Sequence, residues 1–189
     1  MTPALLLLAV LLSDSPPSLC PPVSDVPAAG SCHFGPNGEP DPTCTPGDTN
    51  VEDIETLCAT TTKGRRCTPD AALKTAIFAA YGLVWKPGKK GAPPTYEVDH
   101  RLSLTVGGSD AIKNLWPQAA SPTPGFHEKD RVEDAMHLVL CDGKKPRTPA
   151  VLSLEAARAI LLDTWVQYYN TLPKKGAKKK PAPPPVDPD

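Results

Sequence analysis

Asp99 and His100 stand side by side near the middle of the chain and are residue types that hydrolytic chemistry uses. A carboxylate offers oxygen ligands to a divalent cation, and an imidazole with an ordinary pKa of about 6.5 is a neutral base at neutral pH. Hydrolysis of a phosphodiester bond requires a base to activate water and a cation to hold the phosphate. Residues of these two types could therefore serve metal-assisted hydrolysis, but an Asp-His pair on its own specifies no function.

The position of this pair depends on how a strand ends. Neighbouring side chains on a strand point to opposite faces, so Asp99 and His100 share a cleft only if a twist or bulge turns the strand end. Residues 95–98 have a strand-like composition, and residues 102–106 alternate apolar and polar side chains before the glycine pair at 107–108. This pattern predicts a small hairpin.

Apolar residues at helical spacing predict three helices around that hairpin, over residues 71–83, 128–140 and 153–169. Thr68 is the expected N-cap of the first helix and Ser153 that of the third. The order helix, hairpin, helix, helix over residues 56–172 predicts an α+β domain.

Composition divides the chain into four parts. Residues 1–20 are signal peptide-like, with an unbroken apolar run of nine residues that is too short to span a membrane. Residues 21–55 form a Pro/Gly-rich acidic leader, residues 56–172 the domain, and residues 173–189 a Lys/Pro tail expected to be disordered. We expect export and no membrane span in the mature chain, and the residues before Cys20 argue against lipoprotein anchoring there.

The six cysteines lack the paired C-x-x-C spacing of zinc ribbons and redox motifs. They favour disulfides in an oxidising compartment, so the predicted location is secreted or periplasmic. Spacing alone does not fix the connectivity. Our prediction pairs Cys58 with Cys141 across the core and Cys32 with Cys44 in the leader.

Charge is unevenly distributed along the chain although its formal net value is −1. The first 57 residues hold 8 acidic residues and no Lys or Arg, so all 20 basic residues lie in the remainder. Such an excess favours an anionic partner such as nucleic acid, and equally suits a basic domain without one. Length, 189 residues, excludes a large multidomain enzyme.

One stretch resembles the HNH endonucleases of the ββα-metal superfamily. It comprises the strand that ends in Asp99-His100, the glycine pair at 107–108, the Asn-Leu-Trp-Pro at 114–117, and His127 at a helix start. Further segments between residues 41 and 166 are similar to a group of small exported bacterial HNH-type proteins. The resemblance implies a disulfide-stabilised ββα-metal core with additional helices. It also implies a metal-dependent endonuclease acting on DNA, with RNA left open as a substrate.

The resemblance also implies roles for individual residues. His100 corresponds to the general base and Asp99 to a metal ligand. Asn114 corresponds to the residue that fixes the loop and the base through backbone hydrogen bonds, or in some members joins the metal shell. His127 would complete the metal site, and the alternatives for that ligand are Glu133 and His137. Mg²⁺ and Mn²⁺ are the favoured ions, with Zn²⁺ and Ni²⁺ left open.

Basic residues around the expected cleft would bind phosphates without sequence preference. They are Lys86, Lys89, Lys90, Arg101, Lys129 and Arg131. No recognition motif suggests sequence-specific binding. The oligomeric state is not fixed by the sequence, and a monomer is favoured. The alternative function is a non-catalytic secreted binding module on an HNH-like scaffold, which the polar residues Arg101, Ser103 and Thr105 after Asp-His favour.

Overall fold

The computed structural model describes residues 20–88 and 94–174. Its mixture of helices and small antiparallel sheets confirms the predicted α+β class. The helices are α1 (Ile54–Ala59), α2 (Thr62–Arg65), α3 (Ala71–Ala80), α4 (Phe126–Leu140), α5 (Leu154–Ala159) and α6 (Trp165–Thr171). The strands are β1 (Tyr96–His100), β2 (Leu115–Ala119), β3 (Cys141–Asp142) and β4 (Lys145–Pro146).

Strand β1 pairs antiparallel with β2, so that Asp99 lies opposite Trp116 and His100 opposite Leu115. The prediction that residues 102–106 form the second strand is wrong. Part of that segment, Leu104–Val106, is a 3-10 turn.

Two local interactions turn the chain away from strand geometry after Leu102. The Ser103 hydroxyl accepts a hydrogen bond from the Thr105 amide at 3.1 Å, and Gly107 adopts a φ of 88°, in the left-handed region that glycine tolerates. Strand β2 takes the vacant edge of β1 even though it contains Pro117. A two-stranded sheet leaves each strand one free edge, so a missing amide donor is tolerated.

The helices follow the predicted periodicity but differ at their ends. Helix α3 begins after Asp70, whose carboxylate accepts a hydrogen bond from the Leu73 amide at 2.8 Å, so the expected cap at Thr68 is wrong. Helix α4 begins at Phe126, slightly earlier than predicted. Ser153 caps α5 as predicted, and the third predicted helix contains a π-helical turn, Ile160–Thr164, between α5 and α6.

The main core lies between α4 and the helices that follow it. One face of α4 is buried against the α5–α6 region and α1, and it includes Val132, Met136 and Leu140. A smaller cluster joins α3 to the sheet, where Leu73 and Ile77 pack with Leu115 of β2. Strand β1 therefore has α3 and α4 near it, and the polar end of the strand lies where these packed layers meet.

The acidic leader packs on the domain. Cys32 and Thr45 are buried, although residues 20–53 contain only one short helical turn, Val23–Asp25. The structure joins Cys58 to Cys141 and Cys32 to Cys44, the two pairings predicted from the sequence. A third disulfide, not predicted, joins Cys20 to Cys67.

Several predictions lie outside the described residues. They concern residues 1–19 of the signal peptide-like segment, Lys89 and Lys90, and residues 175–189 of the tail. Within the described spans, no helix combines the length and the apolar character needed to cross a membrane.

The two predicted disulfides close loops of very different length, which makes them a matched pair for a stability test. Their cysteines are 83 residues apart for Cys58–Cys141 and 12 apart for Cys32–Cys44. A disulfide stabilises the fold by reducing the conformational entropy of the unfolded chain, and the reduction is larger for a longer loop. Replacing the first pair by serines should therefore lower the free energy of unfolding by about 4.5 kcal/mol, and replacing the second pair should lower it by about 3 kcal/mol. Urea unfolding of both double variants measures the difference. Equal losses would contradict the loop-length argument.

Candidate functional site

A cleft of about 930 Å³ opens beside the end of β1. Its walls come from β1, from α4 and from the segment that follows α3. Asp99 and His100 both line this cleft, although neighbouring side chains on a regular strand would point to opposite faces. Both residues are buried, each with about 9 % of its surface exposed, so most of their polar atoms must find partners inside the protein.

The imidazole of His100 is paired with a carboxylate from the loop that precedes β2. Its Nε2 lies 2.8 Å from Oδ1 of Asp110, a residue that also lines the cleft. The other oxygen of Asp110 accepts a hydrogen bond from the Cys67 amide at 2.8 Å. Because an ionised carboxylate only accepts, Nε2 donates, and the imidazole lone pair is then on Nδ1.

Lys129 of α4 is buried against the end of β1. Its Nζ donates to Oδ2 of Asp99 at 3.2 Å and to the His100 carbonyl at 2.7 Å, and it makes a close ion pair with Glu133. The lysine side chain is only 2 % exposed. We call Lys129 with Asp99, Glu133 and the His100 carbonyl the Lys129 cluster. It connects β1 to α4 directly beneath the cleft.

Electrostatics in the Lys129 cluster favours the charged lysine. Burial alone would lower the pKa of Lys129, but the carboxylates of Asp99 and Glu133 outweigh it and raise that pKa above its ordinary value. Three oxygen acceptors also match the three donors of an ammonium group. The cluster therefore holds a compensated positive charge inside the protein.

Glu97 lies two residues before Asp99 on β1, and it also lines the cleft. Burial raises the pKa of Glu97 to about 7, and the nearby charges of Asp99, Asp130 and Glu133 add to the shift while Lys129 opposes it. A carboxyl group that titrates near neutral pH is unusual outside functional sites. It marks this wall of the cleft as an acidic environment.

Asn114 fixes the loop between β1 and β2 and is fully buried. Its side-chain amide donates to the carbonyls of Leu102 at 2.9 Å and Ser109 at 2.7 Å, and its side-chain oxygen accepts from the Leu102 amide at 2.8 Å. Its backbone carbonyl accepts from the Arg101 amide at 2.8 Å. These contacts are of the kind expected for Asn114 as a residue that fixes the loop.

The three candidates for the last metal ligand occupy different places on α4. His127 is exposed and its ring lies against that of Phe126, with centroids 4.2 Å apart. His137 is half-buried near the far end of the helix, where its Nδ1 has no hydrogen-bond partner. Neither histidine lines the cleft. Glu133 does, but it is paired with Lys129.

The residues present therefore do not fit the metal site that the resemblance implies. Asp99 lines the cleft whereas His127 does not, and the carboxylate of Asp99 accepts a hydrogen bond from the ammonium of Lys129. Across the described part of the chain, no group of three or more His, Cys, Asp or Glu side chains is arranged to hold a metal ion.

Of the basic residues predicted to bind phosphate, Lys86 lines the cleft. Lys129 is buried. Arg101 donates to the Thr45 carbonyl at 2.6 Å, and the guanidinium of Arg131 donates to the Pro173 carbonyl and lies 5.1 Å from the Tyr169 ring centroid. These two arginines hold structural contacts outside the cleft.

Sequence reasoning missed three residues of the cleft. Arg66 and Lys74 line it and supply positive charge beside Lys86, while Asp110 pairs with His100. Asp110 follows His100 by ten residues, just after the glycine pair, and its acidic side chain close to the motif was the available signal.

Comparison of the chain with protein-family models, curated proteins and solved structures found no match.

Asn114→Ala tests the loop-fixing role. The substitution leaves two buried carbonyls and one buried amide without their partner, so we expect the free energy of unfolding to fall by about 3 kcal/mol or more. The matched control is Lys113→Ala. That side chain is 59 % exposed in its ion pair with Asp48, so its loss should cost less than about 1 kcal/mol. Urea unfolding that gave similar losses for both variants would contradict the role.

Glu97→Gln tests the raised pKa. Because the pKa of Glu97 is raised to about 7, the folded protein holds a proton on Glu97 up to about pH 7, whereas the unfolded chain releases it near the ordinary glutamate pKa of 4.5. The Glu97 contribution to stability is therefore present at low pH and is lost as pH rises between these values. Allowing for solvent screening, we expect the wild type to lose about 1 kcal/mol more than Glu97→Gln between pH 4 and pH 8. Parallel pH profiles would contradict this.

Proposed function

We propose that this protein is an exported hydrolase that cleaves phosphodiester bonds of nucleic acid, with His100 as its general base. The observation that carries the proposal is the His100–Asp110 pair, 2.8 Å apart in the wall of a cleft large enough for part of a nucleic-acid strand. The resemblance of the surrounding motif to HNH endonucleases supports the reaction class. The three disulfides fit an oxidising, extracellular environment.

The pair supplies the first step of hydrolysis. Asp110 fixes the imidazole orientation and keeps the Nε2 proton in place, while Nδ1 of His100 takes a proton from the attacking water. The carboxylate then stabilises the imidazolium that forms. The residues present do not fit the divalent cation that the resemblance implies, so no step of the proposed reaction uses that cation.

Substrate binding would use the basic side of the cleft. Arg66, Lys74 and Lys86 lie on the side formed by the segments around α3 and can contact phosphates. Three cations without any base-reading element predict binding with little sequence preference and a strong dependence on salt. DNA and RNA both present this backbone, so the proposal covers both.

A specific observation supports the alternative function, a non-catalytic binding module. Five carboxyl groups line the same cleft: those of Glu97, Asp99, Asp110, Asp130 and Glu133. The Lys129 ammonium and the proton on Glu97 offset part of this charge, and the negative charge that remains opposes entry of a phosphate backbone. A module that binds a cationic partner would use this wall instead, and it would need no base.

Digestion of plasmid DNA and of single-stranded RNA tests the proposal. We expect the disulfide-intact wild type to cleave, and His100→Ala to lower the rate at least 100-fold because general-base catalysis contributes about 10² to 10⁴. The control is His33→Ala, which removes an exposed histidine of the leader and should keep the full rate. Each protein is assayed with Mg²⁺, with Mn²⁺ and with EDTA.

Thermal unfolding of each variant separates loss of chemistry from loss of fold. Full activity in folded His100→Ala would overturn the assignment of the base. A folded wild type that cleaves neither substrate under any of the three conditions would overturn the hydrolase proposal and favour the binding module.

A further inference from the structure

The side chain of α4 that meets Asp99 is Lys129, not a histidine. Nζ of Lys129 lies 3.2 Å from Oδ2 of Asp99 and 2.7 Å from the carbonyl oxygen of His100, and it contacts Oε1 of Glu133. Two of these oxygens belong to carboxylates and one to the backbone. The ammonium thus lies between the end of the strand and the helix, beside the carboxylate that the sequence motif assigns to a metal ion.

The oxygen atoms around this ammonium are the kinds of ligand that Mg²⁺ and Mn²⁺ use. A lysine ammonium is a compact charge with three donors, and the three oxygens satisfy all of them. The same oxygen set can hold one cation at a time. A divalent ion at these carboxylates would lie within a few ångströms of a positive charge in a buried, weakly screened position, where repulsion is strong.

Because Lys129 is buried, its ammonium group does not move aside to admit a divalent ion. The side chain is 2 % exposed, and Lys129 is among the largest fully buried side chains of the described residues. Moving the ammonium to solvent would leave Asp99 and Glu133 buried without their partner, which is costly for charged groups. The lysine is therefore a fixed part of the site.

We propose that the ammonium of Lys129 is the resident cation of this site and takes the place of a divalent metal ion at Asp99 and Glu133. Asp99 then acts as an anchor for the lysine and not as a metal ligand. The inference concerns the cleft of the proposed hydrolase, but it does not depend on that function, because a binding module would contain the same internal cation.

Binding of Mn²⁺ alone tests this proposal without any activity assay. The electron paramagnetic resonance signal of free Mn²⁺ measures how much of the ion is bound to the protein. Thermal unfolding with and without Mn²⁺ measures the effect of the ion on the stability of the protein. The proteins are the wild type, Asp99→Asn, Lys129→Ala and the double variant Lys129→Ala/Asp99→Asn. Lys113→Ala is the matched control, since it removes an exposed lysine amine that is also paired with an aspartate.

We expect the wild type, Asp99→Asn and Lys113→Ala to bind the same amount of Mn²⁺ and to show the same change of unfolding temperature when Mn²⁺ is added. Lys129→Ala should unfold at a lower temperature than the wild type and regain about 5 to 10 °C in Mn²⁺ at 100 times its dissociation constant, because two carboxylates are freed. The double variant should lose that gain.

Two results would overturn the proposal. One is Mn²⁺ binding by the wild type that Asp99→Asn abolishes, since Asp99 would then be a metal ligand beside Lys129. The other is a folded Lys129→Ala protein that responds to Mn²⁺ no more than the wild type does. If Lys129→Ala does not fold, the comparison of the wild type with Asp99→Asn decides alone. Absence of nuclease activity would affect none of these outcomes.

Discussion

One buried ammonium group determines how strand β1 meets helix α4. A lysine is rarely buried unless its charge is compensated, and Lys129 has Asp99, Glu133 and the His100 carbonyl around it. Its desolvation is offset only while all three acceptors stay in place, because a buried charge that loses one partner is left uncompensated. Lys129 therefore fixes the end of β1 relative to α4. Because both elements form walls of the cleft, the lysine also determines the shape of that part of the cleft.

The side chain of His100 is fixed from a different direction. Asp110 accepts from its imidazole, and the Cys67 amide holds Asp110 in turn. Cys67 is joined to Cys20 by a disulfide, so the leader contributes to the position of the candidate base. Asn114 fixes the loop that contains Asp110 by bonding the carbonyls of Leu102 and Ser109. The position of the His100 imidazole thus depends on backbone hydrogen bonds and on a disulfide that come from several parts of the chain.

Local patterns predicted the parts of this arrangement that depend on neighbouring residues. Periodicity predicted α4 and its buried face, and the Asp-His motif predicted which residues would share a cleft. Residues 102–106 show where such patterns fail, because the same alternation fits a strand and a capped turn, and Ser103 with Gly107 favours the turn. The burial of Lys129 depends on partners from β1, 29 and 30 residues away, so a lysine in an amphipathic helix appeared to be a surface cation.

A crystal structure of the wild-type protein, soaked in Mn²⁺ and recorded at a wavelength where manganese scatters anomalously, tests the central claim most directly. We expect the Lys129 ammonium to lie among Asp99, Glu133 and the His100 carbonyl, with no anomalous peak within coordination distance of Asp99. A manganese peak coordinated by Asp99, with the lysine displaced from it, would show that a metal ion and not the Lys129 ammonium is the cation of this site.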